Sequence, residues 1–264
     1  MAHGTIRVGV GGWDYDPWRG TFYPEGLPKA RQLEYAASHL TAIEINATYY
    51  KLQKPELFER WAKTVPDGFQ FALKASRFCT NRRLLAEAGE AIERFCGQGL
   101  VELGDRLGPI LWQFMGTKTF DPVDFGAFLK LLPRTQDGVA LRHAIEPRHE
   151  SFKCEEFVRM ARDAGVAIVF AEDDVYPCIS DLSGDFVYAR LQSSREDERL
   201  GYSEAELDRW AETARDWSRG KGPKQPPPIA AHAGAAGPRD TYIFFIAGAK
   251  VRNPLAAQAL IERL

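Results

Sequence analysis

The stretch Thr41-Ala42-Ile43-Glu44-Ile45-Asn46 is a short apolar run that ends in polar side chains. Residues two apart on a strand project to one face, so Glu44 and Asn46 are expected to point to the same side. In parallel α/β folds the carboxyl ends of the strands are where ligands bind. The stretch therefore predicts a strand of a parallel sheet and one part of a binding site.

Further apolar runs repeat this pattern along the chain. Each finishes in charged or amide side chains at its carboxyl end, namely Lys74, Gln113, Glu146 with Arg148, Glu172 and Arg190. Because the carboxyl ends of parallel strands meet at one edge of the sheet, these side chains are predicted to lie close together.

Eight β-rich runs alternate with helical patterns from one end of the chain to the other. The predicted strands are 6–10, 42–46, 69–74, 109–113, 139–146, 167–171, 186–191 and 242–246. Between most of them, apolar residues recur at spacings of three and four, which is typical of helices. This alternation requires a parallel sheet, and the count of eight predicts a (β/α)8 TIM barrel in which residues 1–264 form a single domain. The competing doubly wound sheet lacks the GxGxxG motif after its first strand.

Two connections depart from the regular alternation. Only about fourteen residues, including Pro177, separate Ala171 from Phe186, so the sixth crossover is predicted to be short or irregular. Ser203 and Glu206 fit a capping box at the start of the seventh helix. Residues 220–239 are rich in Pro, Gly and Ala and are predicted to form a flexible insertion on the amino-terminal face of the barrel.

Composition excludes several classes of protein. A formal net charge of -2 provides no global attraction to nucleic acid or to an anionic membrane. The four cysteines form no CxxC pair, which predicts reduced thiols in a cytoplasmic protein. Residues 1–7 do not match the pattern of a secretory signal and no run of about 20 apolar residues is present, so neither secretion nor a membrane span is expected. It also lacks a P-loop, a GxSxG elbow and kinase signatures, so nucleotide triphosphatase and serine hydrolase functions have no support.

Glu146 and Glu44 are the candidate general acid/base pair at the predicted site. Buried carboxylates are costly unless they are paired, and such sites often shift pKa values toward neutrality. Lys74, Arg148 and Arg190 are the expected counter-charges, and a salt-bridge network that only fills the barrel mouth is the structural alternative. Lys74 is in addition a candidate Schiff-base nucleophile or anion-binding group.

The remaining candidate residues would bind substrate or a metal ion. Trp13 and Tyr15, after the glycine-rich end of the first strand, are expected either to stack on a substrate or to pack as a lid. Asn46 and Gln113 would orient hydroxyl groups. His149 follows Arg148 and is assigned to the substrate site; together with Glu172 and Asp173 it is also an acceptable ligand of a divalent metal, and the cofactor is otherwise unknown. His143 lies three residues before Glu146 and is expected to face the opposite side.

Several motifs resemble those of the YecE-like family, also called the domain-of-unknown-function 72 (DUF72) family. They are Val8-Gly9-Val10-Gly11-Gly12-Trp13-Asp14-Tyr15, Trp18-Arg19-Gly20, Phe22-Tyr23-Pro24, Ile43-Glu44-Ile45-Asn46-Ala47-Thr48-Tyr49-Tyr50, Phe71-Ala72-Leu73-Lys74-Ala75, Leu107-Gly108-Pro109-Ile110-Leu111-Trp112-Gln113 and Glu146-Pro147-Arg148-His149. The resemblance spans nearly the whole chain and implies a TIM barrel similar to those of sugar isomerases and apurinic endonucleases, but it implies no particular reaction.

The chain departs from the family pattern at two strand ends. The last strand continues Phe245-Ile246-Ala247-Gly248 where such proteins carry a Phe-Asn-Asn type segment. The fourth strand continues Gln113-Phe114-Met115-Gly116 where they carry Gln-Leu-Pro-Pro. If the missing amides bind substrate in the family, the activity of this chain is lost or altered.

Three functions follow as hypotheses. The first is an isomerase or hydrolase that uses acid/base chemistry on a small polar, anionic or sugar-like substrate at the carboxyl end of the barrel. The second is a metal-assisted phosphodiesterase or nucleic-acid-end processor with a basic rim from Arg77, Arg82, Arg83 and Arg195. The third is a ligand-binding barrel without catalysis. A small-molecule partner is favoured over nucleic acid, and no membrane association is expected.

Overall fold

Eight parallel strands close into a barrel in the computed structural model, which describes residues 3–223, 225–231 and 237–264. The strands are β1 (Ile6–Gly11), β2 (Ala42–Ile45), β3 (Gln70–Lys74), β4 (Leu107–Gln113), β5 (His143–Glu146), β6 (Ala167–Glu172), β7 (Phe186–Leu191) and β8 (Asp240–Phe245). Each strand pairs with the next one in the chain, and β8 pairs with β1. The predicted TIM barrel is confirmed.

Helices cover the outside of the barrel. The described α-helices are α1 (Gln32–His39), α2 (Ala47–Tyr50), α3 (Pro55–Thr64), α4 (Arg77–Thr80), α5 (Gly89–Cys96), α6 (Pro122–Leu131), α7 (Glu155–Ala164), α8 (Glu204–Ser218) and α9 (Asn253–Ile261). Short 3-10 helices occupy Asp16–Trp18, Lys29–Arg31, Leu85–Glu87, Leu100–Arg106, Glu150–Phe152 and Lys250–Arg252. None of these described helices has the length and apolar character needed to cross a membrane.

The predicted connections agree with the structure except around the fifth strand. No helix is present among residues 173–185, as expected for the short sixth crossover, and Ser203 and Glu206 form the predicted capping box at the start of α8. The predicted strand 139–146 is wrong in its first half, because Val139–Ala140 instead pairs antiparallel with Thr135–Gln136. Asp137 and Gly138 both have positive φ (48° and 81°), which is the backbone of a tight two-residue hairpin turn.

Inward and outward side chains form two separate apolar cores. The interior of the barrel contains Ala42, Ala72, Leu111, Ala144, Ala167, Val169, Phe186, Tyr188, Tyr242 and Phe244. Alternate residues of the same strands, such as Ile43 and Phe71, face the helices and belong to the outer core. Large aromatic rings on β7 and β8 thus face small residues on β2, β3 and β5. At Gly9 on β1 a Cβ atom would lie 1.8 Å from the Ala42 carbonyl oxygen, so close packing of β1 on β2 requires glycine there.

Part of the predicted insertion contacts the connection between β6 and β7. Asp181 accepts hydrogen bonds from the backbone of Ile229 (2.7 Å) and Ala230 (3.0 Å), and Arg162 at the end of α7 donates to the Ala231 carbonyl (2.9 Å). Residue 224 and residues 232–236 lie outside the described residues. The flexibility of the insertion therefore stays a prediction.

Candidate active site at the carboxyl end of the barrel

Three strands direct their last inward side chains toward one another. Glu44, Glu146 and Arg190 follow Ala42, Ala144 and Tyr188 by two residues and so share their inward face. Both carboxylates are completely buried, and Arg190 is 2 % exposed. The alternation of the strands thus brings together charged groups that are more than forty residues apart in sequence.

Arg190 binds both carboxylates. Its Nε and Nη2 atoms donate to the two oxygens of Glu44, each at 3.1 Å, and its Nη1 atom donates to Glu146 Oε2 at 2.7 Å. The planar guanidinium matches a carboxylate with two parallel hydrogen bonds, which fixes the orientation of both groups. The centre of the site is therefore a carboxylate–guanidinium–carboxylate bridge across the barrel.

Neighbouring side chains complete the hydrogen bonding of this bridge. Tyr188 donates from its hydroxyl group to Glu44 Oε2 at 2.7 Å. Gln113 donates to Glu146 Oε2 and Arg148 Nε donates to Glu146 Oε1, both at 2.9 Å. A buried ion pair is tolerated only when its remaining polar atoms are satisfied, and here every carboxylate oxygen has at least one donor.

These contacts set the protonation state of Glu146. Burial by itself raises the pKa of this carboxyl group, but Arg190 and Arg148 outweigh burial and lower the pKa to about 2. Burial and the adjacent Glu44 raise the pKa of Tyr188 well above its usual value, so its hydroxyl group keeps its proton. Glu146 is consequently ionised at neutral pH and holds no proton that it could donate there.

Lys74 lies beside the bridge at the end of β3. Its Nζ atom is 4.4 Å from the ring centroid of Tyr49, and no carboxylate of the described residues lies within 4.0 Å of it. Burial and the positive charge of Arg190 lower the pKa of Lys74 to about 8, although Glu44 and Glu146 oppose this shift. At neutral pH about a tenth of such an amine is unprotonated.

The exposed edge of the site is positively charged. Arg148 keeps 20 % of its side chain exposed, and its guanidinium stacks 4.3 Å from the ring centroid of Tyr176. Lys74, Arg148 and Arg190 outnumber the two buried carboxylates. Asn46 lies at the same rim, partly buried, with its amide 3.5 Å from the Glu44 carbonyl oxygen. The arrangement suits an anion that enters from the mouth of the barrel.

The three residues considered as metal ligands are held in other contacts. Glu172 projects outward and accepts hydrogen bonds from the Tyr202 hydroxyl and the Gln192 backbone, both at 3.0 Å. Asp173 accepts from the backbone of Val175, and His149 accepts from the backbone of Ser151. In the part of the chain that the structure describes, no group of three or more His, Cys, Asp or Glu residues could hold a metal ion. His149, Glu172 and Asp173 therefore do not come together as one set of metal ligands.

The predicted aromatic wall packs against the outside of the barrel. Trp13 contacts Trp61 edge-on (5.3 Å between centroids) and lies 6.3 Å from Phe71, an outward residue of β3. Tyr15 packs on Trp18 at 5.5 Å. Of the two expectations for these rings, packing is the one that the contacts favour. The aromatic groups that do border the site are Tyr49, Tyr176 and Tyr188, of which only Tyr188 carries a sequence signal, its spacing of two from Arg190.

His143 has a structural environment. It is buried on the outer face of β5, where Trp112 donates to its Nδ1 atom at 3.0 Å and its Nε2 atom donates to the Pro133 carbonyl at 2.7 Å. Burial lowers its pKa, which keeps the ring neutral. Its predicted position opposite Glu146 is confirmed.

The loop after β8, where the sequence departs from the Phe-Asn-Asn type segment, has a strained backbone. Ala247 has a φ of 61°, a conformation that Asn and Gly adopt more readily than Ala. At Gly248 a Cβ atom would lie 2.7 Å from the backbone oxygens of Gln192 and Ser194, so glycine is required. Asn253 at the start of α9 donates to the Ala247 carbonyl (3.1 Å) and accepts from the hydroxyl group of Ser194 (2.7 Å), which follows β7.

Comparison with known families gives one match over nearly the whole chain. The family described as "Protein of unknown function DUF72" matches residues 7–264. The UPF0759 protein YecE of Escherichia coli K12 is 27 % identical over 150 residues, which cover 56 % of this chain and 50 % of YecE. The UPF0759 protein YunF of Bacillus subtilis is 32 % identical over 79 residues, or 30 % of this chain and 27 % of YunF. The matches thus span half or less of these relatives.

Solved structures share the barrel. A DUF72 family protein from Thermotoga maritima superposes with a TM-score of 0.71 and 23 % identity, covering 97 % of both chains. A DUF72 family protein from Enterococcus faecalis has a TM-score of 0.71 with 18 % identity over all of both chains. SacUVDE has a TM-score of 0.56 with 10 % identity, covering 98 % of this chain and 99 % of that one. At these identities the likeness extends to the fold alone.

Proposed function

The chain belongs to the DUF72 family, and we propose that it is an enzyme that acts on a small anionic substrate at the carboxyl end of its barrel, with Lys74 as the group that transfers protons. The observation that carries this proposal is a half-buried lysine with a pKa lowered to about 8, next to a buried bridge of two carboxylates and one arginine. General acids and bases work best when their pKa lies near the working pH.

The charge of the site supports an anionic rather than a neutral substrate. Glu44 and Glu146 neutralise only two of the three cations, and the exposed parts of Lys74 and Arg148 carry the remaining positive charge toward the mouth of the barrel. Of the hydrogen-bond donors of Arg148, only Nε is bonded within the described residues. Its Nη1 and Nη2 groups remain for a carboxylate or phosphate, which a guanidinium binds with two parallel hydrogen bonds.

The proposal gives the two carboxylates a different role from the predicted proton-sharing pair. Glu146 is ionised and bound to three donors, and Glu44 is bound to both Arg190 and Tyr188. These contacts support a positioning role, in which the carboxylates hold Arg190 rigid beneath the substrate. Neutral Lys74 would accept a proton from the substrate, and its ammonium form would return one. Gln113 and Asn46 remain the candidates for orienting substrate hydroxyl groups.

The test is a screen of small carboxylates and phosphate esters for thermal stabilisation, followed by assays for turnover of those that bind. We expect activity to rise with pH along a single titration near pH 8, as the amine of Lys74 loses its proton. The variant Lys74→Met should lower kcat by at least about 100-fold, the usual contribution of a positioned acid/base group. Arg148→Gln should mainly raise KM.

Lys130→Met is the matched control, because Lys130 is an exposed lysine on α6. Full activity of Lys74→Met, or a pH profile without a titration near 8, would contradict the proposal. A ligand that binds with Arg148-dependent affinity but yields no product would instead support the alternative of a ligand-binding barrel. No observation on the described residues favours metal-assisted phosphodiester hydrolysis.

A further inference from the structure

A cavity lies beside the barrel mouth, between α2, α4 and α5. Its volume is about 470 Å³, which is in the range of sites for small organic ligands. The residues that line it include Tyr50, Lys51, Phe78, Arg82, Glu90 and Arg94. None of them takes part in the carboxylate–guanidinium bridge of the candidate active site.

Two exposed aromatic rings border this cavity. Tyr50 is 65 % exposed and Phe78 is 61 % exposed, and they are the only aromatic residues among the exposed large hydrophobic residues of the described chain. Tyr50 also packs edge-on against Tyr49, with 5.0 Å between ring centroids. Exposed aromatic surface is unfavourable in water, and its concentration in one cavity indicates a ligand with flat apolar faces.

Lys51 and Arg82 line the cavity with the two rings, and the Arg77 guanidinium lies 5.4 Å from the Phe78 ring centroid. No carboxylate of the described residues lies within 4.0 Å of the charged groups of these three residues. Arg82 is held in place by hydrogen bonds to the backbone carbonyls of Phe78 (2.5 Å) and Glu87 (3.0 Å), which leaves its Nη2 atom without a partner there. Glu90 is the acidic residue of the cavity lining and has Arg94 at 3.8 Å.

We propose that this cavity binds nucleotide units of a single-stranded nucleic acid, with bases stacked on Tyr50 and Phe78 and phosphates bound by Lys51 and Arg82. Base stacking on aromatic side chains combined with a basic groove is how single strands are bound without sequence preference. An acidic peptide without aromatic side chains would use the cations but not the rings, and a duplex hides the base faces inside its stack. The net charge of -2 does not oppose this, because the positive potential is local. The inference stands independently of the proposed catalytic role of Lys74.

The direct test is fluorescence anisotropy with a labelled single-stranded oligodeoxynucleotide of about 12 nucleotides, in salt of about 50 mM and about 200 mM. We expect Tyr50→Ala and Phe78→Ala each to weaken binding by about tenfold, the effect typical of one lost base stack. Arg82→Gln should weaken binding and make the logarithmic salt slope shallower by about 0.7, the value for one lost phosphate contact on a single strand.

Matched controls lie on other faces of the protein. Val123 on α6 is 81 % exposed, so Val123→Ala removes a similarly exposed apolar side chain, and Arg159→Gln removes an exposed arginine on α7. Neither should change the affinity. Tyr50, Phe78, Val123 and Arg159 are exposed and Arg82 is partly buried, so thermal melting of each variant is measured to show that it is folded. Lys74→Met should bind the oligonucleotide like the parent, which separates this test from that of the catalytic proposal.

Competition distinguishes the ligand classes. Displacement of the strand by excess adenosine monophosphate, with loss of that displacement in Tyr50→Ala, would assign the cavity to single nucleotides as well as strands. Equal binding of heparin and DNA, unaffected by the two aromatic substitutions, would overturn the proposal in favour of a nonspecific basic patch. Absence of oligonucleotide binding at the lower salt would overturn it outright.

Discussion

The two ends of the barrel interior both hold clusters of arginines and carboxylates. The clusters differ in their net charge and in the exposure of their carboxylates to water. At the amino end Arg142 donates to Asp240 at 3.1 Å and lies 3.7 Å from Asp185, while Arg7 lies 3.9 Å from Asp240. The side chains of Asp240 and Asp185 are 33 % and 77 % exposed. Two arginines thus face two partly hydrated aspartates.

At the carboxyl end the carboxylates are fully buried and the cations are in excess. Glu44 and Glu146 have no exposed side-chain surface, and Lys74 adds a third cation whose pKa is lowered to about 8. A cluster with balanced and hydrated charges stabilises a fold at little cost. An excess charge with an easily lost proton has no structural benefit, so the comparison supports the proposal that the carboxyl end is the functional end of the barrel.

The largest expected difference between the two ends comes from removing their arginines. Arg190→Met leaves Glu44 and Glu146 buried without a cation between them, and we expect it to lower the free energy of unfolding by about 4 kcal/mol. Arg142→Met leaves Asp240 near Arg7 and water, and should cost only about 1 kcal/mol. Denaturant unfolding of both variants measures the contrast, and equal losses would contradict the distinction between the ends.

Acid should destabilise the protein in part through Glu146. Its pKa of about 2 lies below the ordinary value of 4.5, so the unfolded chain binds this proton more tightly. The stabilisation is fully present above pH 4.5 and is lost as the pH falls toward 2, by about 3 kcal/mol in all. Unfolding measured between these pH values should show a shallower slope for Glu146→Gln, although that variant starts from a lower stability. The same slope in both proteins would be inconsistent with the bridge.

Lys74→Met should stabilise the protein while it lowers the proposed activity. The lowered pKa means that charged Lys74 destabilises the folded state, and this cost is fully present below pH 8 and fades as the pH rises toward 10.5. We expect a gain of about 2 kcal/mol at neutral pH that disappears in this alkaline window. Lys130→Met should show no such gain. A destabilised Lys74→Met would mean that the lysine supports the fold.

The smallest expected effect concerns the strained loop beside the site. Ala247→Gly removes the Cβ atom from a residue with φ of 61°, and should raise the free energy of unfolding by about 0.5–1 kcal/mol. Ala140→Gly, at an extended residue of the hairpin strand, should lower stability instead. Thermal melting measures both changes, and a loss of stability in Ala247→Gly would refute strain at this position.

Most of the fold could be predicted because it depends on local pattern. Apolar runs of strand length, alternating with helical spacings, gave all eight barrel strands to within a few residues, apart from the first half of the fifth. There the pattern of residues 139–146 concealed the turn at Asp137 and Gly138, because a hairpin strand and a barrel strand have the same β propensity. The spacing of apolar residues predicts that a segment forms a strand, but it does not predict which segment that strand pairs with.

The sequence predicted the strand ends at which the candidate site lies, but not which of their side chains point into it or what each one does. Glu146 and Glu172 both end apolar strands, yet one faces the barrel interior and the other faces the outer layer. The run 167–171 is apolar on both faces, as expected of a strand that is buried on both sides. Its sequence therefore does not show which alternate residues point into the barrel. For Trp13, which follows the glycine-rich end of β1, the sequence left substrate stacking and packing equally open, and in the structure its ring packs on Trp61 outside the barrel.

The sequence by itself determined an eight-stranded parallel barrel, with charged side chains gathered at the carboxyl ends of its strands. Those features follow from periods of two and of three to four residues, which act over short distances along the chain. Only the tertiary structure decided that Arg190 bridges Glu44 and Glu146, and that Lys74 has no carboxylate partner among the described residues. Burial and charge pairing set protonation states, and both depend on groups brought together from distant strands.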